Sequence, residues 1–243
     1  MIIRKKDVKY EEKEHLRGGR NSVFSGILIE IPLLRGAGRL FSRFVIPPMC
    51  EIGYHVHEGD SEAYYILEGS GIYNDNGEET ELHEGDVAFT PNGCGHSLYN
   101  NTDKNLVMLA CVLYDFTKDP EVTKLRTIKR AGTLNKAELH EPFGGVGDFY
   151  ADKLMEGDEF TGAARLYNVV HLHPGCKLGY HEHQGETEAF YMLKGKAIFC
   201  DDGVESEVLP GDVTITPTGH SHSMENRSDE DAVYAAIIYF DKD

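Results

Sequence analysis

Apolar residues in this chain fall into short runs rich in β-branched and aromatic side chains, cut by clusters of turn residues. Leu40–Ile46, Ala63–Leu67, Gly71–Tyr73, Val87–Thr90 and Leu106–Tyr114 are such runs, and each has the length and composition of a strand. Between them, Asn74-Asp75-Asn76-Gly77 and Pro91-Asn92-Gly93-Cys94-Gly95 gather residues that favour turn backbone, and both are expected to close hairpins. A helical period is expected only in the polar start, Asp7 to Leu16, and in Leu134 to His140. Many short strands with regular turns predict an all-β sandwich or barrel.

The pattern occurs twice. Arg39-Leu40-Phe41 matches Arg165-Leu166-Tyr167, Gly53-Tyr54 matches Gly179-Tyr180, and Gly85-Asp86-Val87 matches Gly211-Asp212-Val213 (165 − 39 = 179 − 53 = 211 − 85 = 126). The alignment needs no gap from Ile2 to Asp115. A tandem duplication follows, with two domains at 1–118 and 119–243 and a connector from Phe116 to Arg126 that holds Asp119-Pro120. Units of this size bury a core with little to spare, so packing of one on the other is expected to help.

The same offset carries a set of metal-ligand residues. His55, His57, Glu62 and His96 recur as His181, His183, Glu188 and His222. Residues two apart on a strand share a face, so each His-x-His projects two imidazoles into one interior. Glu58-Gly59-Asp60-Ser61 lets the chain reverse and brings Glu62 in on the next strand, and His96 arrives after the Pro91–Gly95 turn. Three imidazoles and a carboxylate suit Mn, Fe, Co, Ni or Zn. An octahedral ion so held keeps two positions for exogenous ligands, as activation of a substrate or dioxygen requires.

Gly53, His55, His57, Glu62 and Gly69 resemble the first motif of the cupin family, and Gly85, Pro91, Gly93, His96 and Asn100 resemble the second. Both recur, as Gly179, His181, His183, Glu188 and Gly195, and as Gly211, Pro217, Gly219, His222 and Asn226. The first motif departs from the family's pattern only in the short distance from its opening glycine to the His-x-His. The resemblance covers nearly all of both repeats. It implies a bicupin: two tandem cupin barrels of the double-stranded β-helix or jelly-roll type, related by a pseudo-twofold as in a fused homodimer. It implies one divalent metal per barrel, held by the eight residues above.

Other residues are candidates for chemistry. Tyr64 shares a strand face with Glu62 and is expected to face the metal chamber; Phe190 takes its place in the second repeat. A phenol can act as an acid or hydrogen-bond donor where a phenyl ring can only pack. Arg39 and Arg165 occupy one repeat position, where they would anchor a substrate carboxylate or, the favoured reading, form structural ion pairs. Arg43 is a weaker basic candidate, since Val169 stands opposite it. His171 and His173 are expected to line one strand face. His220 is a candidate general acid or base at a barrel mouth, and Cys94 takes its place in the first repeat.

The net charge of −17 disfavours polyanionic partners, both nucleic acid and anionic membrane. Five cysteines without CxxC spacing suggest no disulfide framework. With no apolar leader or membrane-length run, a reduced, cytoplasmic protein is expected. The resemblance offers dioxygenase, decarboxylase, isomerase and lyase chemistry on a small oxygen-rich substrate, with a homodimer as the candidate assembly. The alternative is a non-catalytic binding or sensor cupin with structural metals.

Overall fold

A computed structural model describes residues 1–117 and 126–242 of the chain; most of the expected connector, with Asp119-Pro120, lies outside the described residues. Among those described there are 22 strands and no α-helix. In chain order the strands of the first half are β1 (Ile2–Ile3), β2 (Tyr10–Glu14), β3 (Ser22–Ile29), β4 (Gly38–Ile46), β5 (Glu51–Val56), β6 (Asp60–Glu68), β7 (Ser70–Asp75), β8 (Glu78–His83), β9 (Val87–Thr90), β10 (Gly95–Tyr99) and β11 (Leu106–Tyr114). The second half repeats them as β12 (Thr127–Lys129), β13 (Lys136–His140), β14 (Asp148–Met155), β15 (Ala164–Leu172), β16 (Lys177–Glu182), β17 (Glu186–Lys194), β18 (Ala197–Asp201), β19 (Val204–Val208), β20 (Val213–Thr216), β21 (Ser221–Glu225) and β22 (Ala232–Phe240).

Each repeat builds a seven-stranded and a four-stranded antiparallel sheet. The first repeat's orders are β12-β9-β6-β11-β4-β3-β2 and β5-β10-β7-β8; the second's are β1-β20-β17-β22-β15-β14-β13 and β16-β21-β18-β19. The two sheets of a repeat close on a shared core by the alternation of side chains along each strand. In the first repeat, Phe44 and Ile46 of β4, Tyr64 and Ile66 of β6 and Met108 and Ala110 of β11 meet Ile52, Tyr73, Leu82 and Leu98 of the smaller sheet. Phe190, Met192, Phe199, Met224 and Tyr234 lie in the corresponding core of the second. These are the tandem cupin-type barrels that the strand pattern and the resemblance implied.

Two local expectations are overturned. The polar segments expected to be helical are the edge strands β2 and β13, paired along their length with β3 and β14. Cross-strand hydrogen bonding overrides the weak helical preference of a Glu/Lys-rich run. The Pro91–Gly95 turn does not close a hairpin either. It joins β9 to β10, and the Glu58 turn joins β5 to β6, each crossing from one sheet to the other. Asn76-Gly77 does close a hairpin, between β7 and β8, with φ of 54° and 100°, the paired left-handed backbone that Asn-Gly accepts at low cost.

The chain divides into two compact units. One comprises Lys9–Leu134 and Gly157–Ala163; the other comprises Met1–Val8, Asn135–Glu156 and Ala164–Asp243. The division is not a single cut, because the opening segment of each repeat serves the other repeat's unit. Ile2 of β1 pairs with Thr214 of β20, and Ile128 of β12 with Ala88 of β9. A buried aspartate hooks each segment. Asp212 accepts from the Lys5 amide at 2.9 Å and Arg4 at 2.8 Å, and Asp86 accepts from the Ala131 amide at 2.8 Å and Arg130 at 2.7 Å.

Candidate metal centres

The larger and smaller sheets of a repeat converge on one group of side chains. β5 carries His55 and, just past its end, His57; β10 carries His96 directly opposite His55; and β6 delivers Glu62 from the other sheet. The His96 Nε2 atom lies 3.1 Å from His57 Nε2, 3.2 Å from His55 Nε2 and 3.0 Å from Glu62 Oε2. Glu62 Oε2 is also 3.3 Å from His57 Nε2 and 3.6 Å from His55 Nε2. In the second repeat, His222 Nε2 is 3.1 Å from His183 Nε2, 3.2 Å from His181 Nε2 and 2.8 Å from Glu188 Oε2. All four donor atoms of each group fall within 4.8 Å of one another.

The far side of each ring shows what these atoms are. The Nδ1–H of His55 donates to the Gly53 carbonyl at 3.0 Å, and that of His57 to the Asp60 carboxylate at 2.6 Å. His181 and His183 do the same to Gly179 at 2.9 Å and Glu186 at 3.1 Å. A neutral imidazole with its proton on Nδ1 presents a bare lone pair at Nε2. In each group the two His-x-His nitrogens and the carboxylate are therefore acceptors turned toward one another and toward the third imidazole, an arrangement that only a proton or a metal cation can reconcile. Metal bonds of about 2.1 Å place neighbouring donors of a tetrahedral or octahedral ion about 3.0–3.4 Å apart, close to the separations seen, so the residues fit a first-row divalent metal.

The electrostatics agree. Burial alone would lower His57, but the hydrogen bonds it donates to Asp60 and Glu62, and their charges, push it up to about 9. Burial holds His96 down at about 4 against the pull of Glu62. Burial would raise both carboxyls; instead the facing imidazoles hold Glu62 well below the ordinary carboxylate range and Glu188 at about 2. Three of the four donors in each repeat are buried, and His55 and His181 are the ones that reach solvent.

The cupin domain model matches residues 42–112 and 168–238, the same stretch of each repeat (168 − 42 = 238 − 112 = 126). The chain belongs to the cupin family. This bicupin is 36% identical over 113 residues to a Thermotoga maritima protein named an oxalate-binding protein, a match that spans 46% of this chain and 93% of that one. Among solved structures, a Pseudomonas aeruginosa chain provisionally named a glyoxylate-induced protein has a TM-score of 0.79 at 15% identity, over 100% of this chain and 88% of that one. A point mutant of Bacillus subtilis oxalate decarboxylase has a TM-score of 0.64 at 18% identity, over 100% and 78%. At these identities the two structures establish the fold alone.

The bicupin's other candidates divide between the centres and the surface. Tyr64 is buried and stacks on His96, with centroids 4.7 Å apart and planes 19° apart; Phe190 covers His222 at 5.2 Å. Arg39 and Arg165 are bound to acidic neighbours, Nε to Asp60 at 2.5 Å and Nε to Glu186 at 2.6 Å. His220 is 52% exposed and bonded to Asp202 at 2.5 Å, outside the metal-ligand group. His171 pairs with Asp152 at 3.0 Å and stacks on Tyr150; His173 pairs with Asp231 at 3.0 Å. Arg43 bonds Tyr10 at 3.0 Å. All five cysteines are free, and burial pushes the Cys94 and Cys111 thiols up.

Sequence reasoning passed over several residues. Asp60 and Glu186 complete a run of arginine, carboxylate and imidazole in each repeat. Both lie three residues after the second His of the motif, and that shared acidic position was the available signal. Thr90 Oγ1 at 2.8 Å and the Tyr73 hydroxyl at 3.1 Å engage His96 Nδ1. In the second repeat Phe199 replaces Tyr73, and His222 Nδ1 and Thr216 Oγ1 are buried without a hydrogen-bond partner among the described residues. The first chamber is the more polar of the two.

Proposed function

We propose that each His/His/Glu/His group holds one divalent first-row metal ion, Mn, Fe, Co, Ni or Zn, and that the bicupin is a metalloenzyme acting on a small oxygen-rich substrate. Dioxygenase, decarboxylase, isomerase and lyase chemistry are the reaction types considered. The observation that carries this reading is the convergence of three imidazole nitrogens and a carboxylate oxygen in each repeat, with the Nδ1 protons of the two His-x-His rings held on the outside. A bound divalent ion would supply Lewis-acid polarisation of a chelated carbonyl, hydroxyl or carboxylate.

The chain's own residues supply the rest. The Gly53 carbonyl and the Asp60 carboxylate fix the tautomer and orientation of His55 and His57, and the Thr90–Tyr73 pair holds the His96 ring in place, as outer partners of metal-binding histidines do. Tyr64 keeps its proton, because burial and the Glu62 charge raise it well above its ordinary range. It can therefore donate a hydrogen bond where negative charge develops on a ligand, which Phe190 cannot. Tyr64 is the proposed catalytic group of the first repeat. The paired states of Arg39, Arg165 and His220 support positioning roles for the arginines and a surface role for the histidine.

One observation favours a second reading. The Thermotoga relative is named for binding oxalate, which supports a non-catalytic binding cupin and makes a small dicarboxylate the first ligand to try. Elemental analysis of protein purified without chelator tests the shared premise. Two equivalents of metal per chain are expected in the wild type and one in His96→Ala. Unchanged metal content in that variant would overturn the ligand assignment. Turnover of chelating substrates then separates enzyme from binder.

A further inference from the structure

The two centres also differ at their solvent side, in a residue that neither motif contains. Position 17 is arginine and its repeat equivalent, 143, is phenylalanine (143 − 17 = 126). Each sits in a short 3-10 turn, Leu16–Gly18 or Pro142–Gly144, with left-handed backbone: φ 58° and ψ 27° at Arg17, φ 56° and ψ 33° at Phe143. Non-glycine residues adopt that conformation at a cost and concentrate where a side chain must be aimed.

Both turns are clamped to the strand that carries the His-x-His. A Cβ on Gly53 would collide with the Arg17 carbonyl oxygen, and one on Gly179 with the Phe143 carbonyl oxygen. Only glycine permits so close an approach. Gly53 and Gly179 are also the residues whose carbonyls hold His55 and His181. Residue 17 or 143 is thus fixed beside the imidazole that reaches solvent.

The second repeat shows where a side chain from this position goes. The Phe143 ring lies flat on the His181 imidazole, centroids 3.8 Å apart and planes 7° apart, while Phe143 remains 62% exposed. In the first repeat the same position carries a cation. Its neighbour Arg20 is paired with Glu51 at 3.3 Å, whereas Arg17 has no ion pair or side-chain hydrogen bond among the described residues. An unpaired arginine is conspicuous in a chain with 41 acidic and 24 basic residues. Its charge reaches the chamber: burial and Glu62 push Tyr64 up, and Arg17 pulls against them.

We propose that residue 17/143 decides which ligand each centre accepts. Arg17 binds the free carboxylate of a small anionic chelator at the first centre, and Phe143 covers the second centre with an apolar lid that refuses such an anion. This rests on the metal reading above. A guanidinium suits the task because its planar fork matches a carboxylate through two parallel hydrogen bonds. The ligand class is a small dicarboxylate or 2-oxo acid, with one end on the metal and the other on Arg17. The two barrels then divide the labour, one for the anion and one closed to it.

The test uses full-length protein loaded with Mn2+, with metal stoichiometry measured first. Calorimetric titration follows with oxalate and with neutral acetohydroxamic acid. Wild type is expected to hold two Mn2+ and bind one oxalate per chain. Arg17→Phe is expected to fold, because phenylalanine already occupies the equivalent backbone at position 143. It should keep two Mn2+, bind acetohydroxamic acid as wild type does, and lose roughly ten- to a hundredfold in oxalate affinity, the worth of a charge-assisted pair. Arg17→Lys should recover part of the loss, and Phe143→Arg should raise oxalate stoichiometry to two. Equal oxalate affinity in wild type and Arg17→Phe, or no oxalate binding by the Mn2+-loaded wild type, overturns the proposal while leaving the metal reading standing. Failure of the wild type to take up Mn2+ overturns both.

Discussion

Substituting Asp60 with Asn should weaken the first metal centre and spare the second. Asp60 is buried and uses both carboxylate oxygens, Oδ1 on His57 Nδ1 at 2.6 Å and Oδ2 on Arg39 Nε at 2.5 Å. Asparagine is nearly the same size but has one acceptor oxygen and no charge. It can serve His57 or Arg39, and not both. Arg39 is partly exposed and can turn to water at little cost. His57 is buried, so its Nδ1–H exchanges a charge-assisted bond for a neutral one or for none. That difference is about 1–2 kcal/mol, and the loss of imidazole basicity adds to it, so the metal affinity of the first centre should fall roughly 10- to 100-fold.

Proton competition sets the pH dependence of that loss. With Asp60 and Glu62 beside it, His57 is held at about 9 against the effect of burial, so at pH 7 a metal ion must displace a proton from it. Asp60→Asn lowers His57 and makes that displacement easier, which hides part of the loss. The deficit should therefore be larger at pH 9 than at pH 7. Competition for Zn2+ against a coloured chelator resolves the two centres, and the second, with Glu186 in place of Asp60, is the internal control. The reasoning fails if the first centre keeps its affinity at both pH values, or if both centres weaken alike.

Tyr64→Phe should leave two metals per chain and reduce turnover or ligand affinity in the first barrel; unchanged behaviour in both assays would return Tyr64 to the core. Asp212→Asn should destabilise the unit that contains β1 by about 1 kcal/mol at pH 7, the worth of the charge-assisted bonds that the part-buried Lys5 amide and Arg4 guanidinium donate to the buried carboxylate. Burial would raise Asp212, but the Lys5 amide, Arg4 and the Leu209 amide hold it below its ordinary value. Its contribution is thus complete above about pH 4 and lost as the pH falls through the folded-state value. The gap in thermal midpoint between wild type and variant should close in acid, and a constant gap would refute the linkage.

The two His/His/Glu/His groups were legible because their spacing reports strand geometry. Two imidazoles at i and i+2 share a face in any strand, and a carboxylate and third imidazole kept at a constant offset in two repeats are hard to ascribe to chance. Repetition also fixed the number of barrels, and alternation with turn clusters fixed the all-β class. Tertiary pairing decided the rest. The polar start became an edge strand because β3 offered it a partner. The Pro91–Gly95 turn crossed between sheets because the sheets close on one another. Asp60, Thr90 and Tyr73 each read in the sequence as an ordinary strand or turn residue, and only the folded distances show them holding the imidazoles.

The sequence by itself determined the duplicated β architecture and the eight converging side chains, since both rest on local periodicities that a linear pattern records. The folded chain decided that Arg39 and Arg165 meet carboxylates, that His220 pairs with Asp202 at the surface, and that Met1–Val8 joins the unit of the second repeat. It also decided that Arg17 and Phe143 stand beside the two centres. These depend on which strands and turns come together across long stretches of chain. Such contacts are set by packing and by the satisfaction of buried charge, and residue spacing does not encode them.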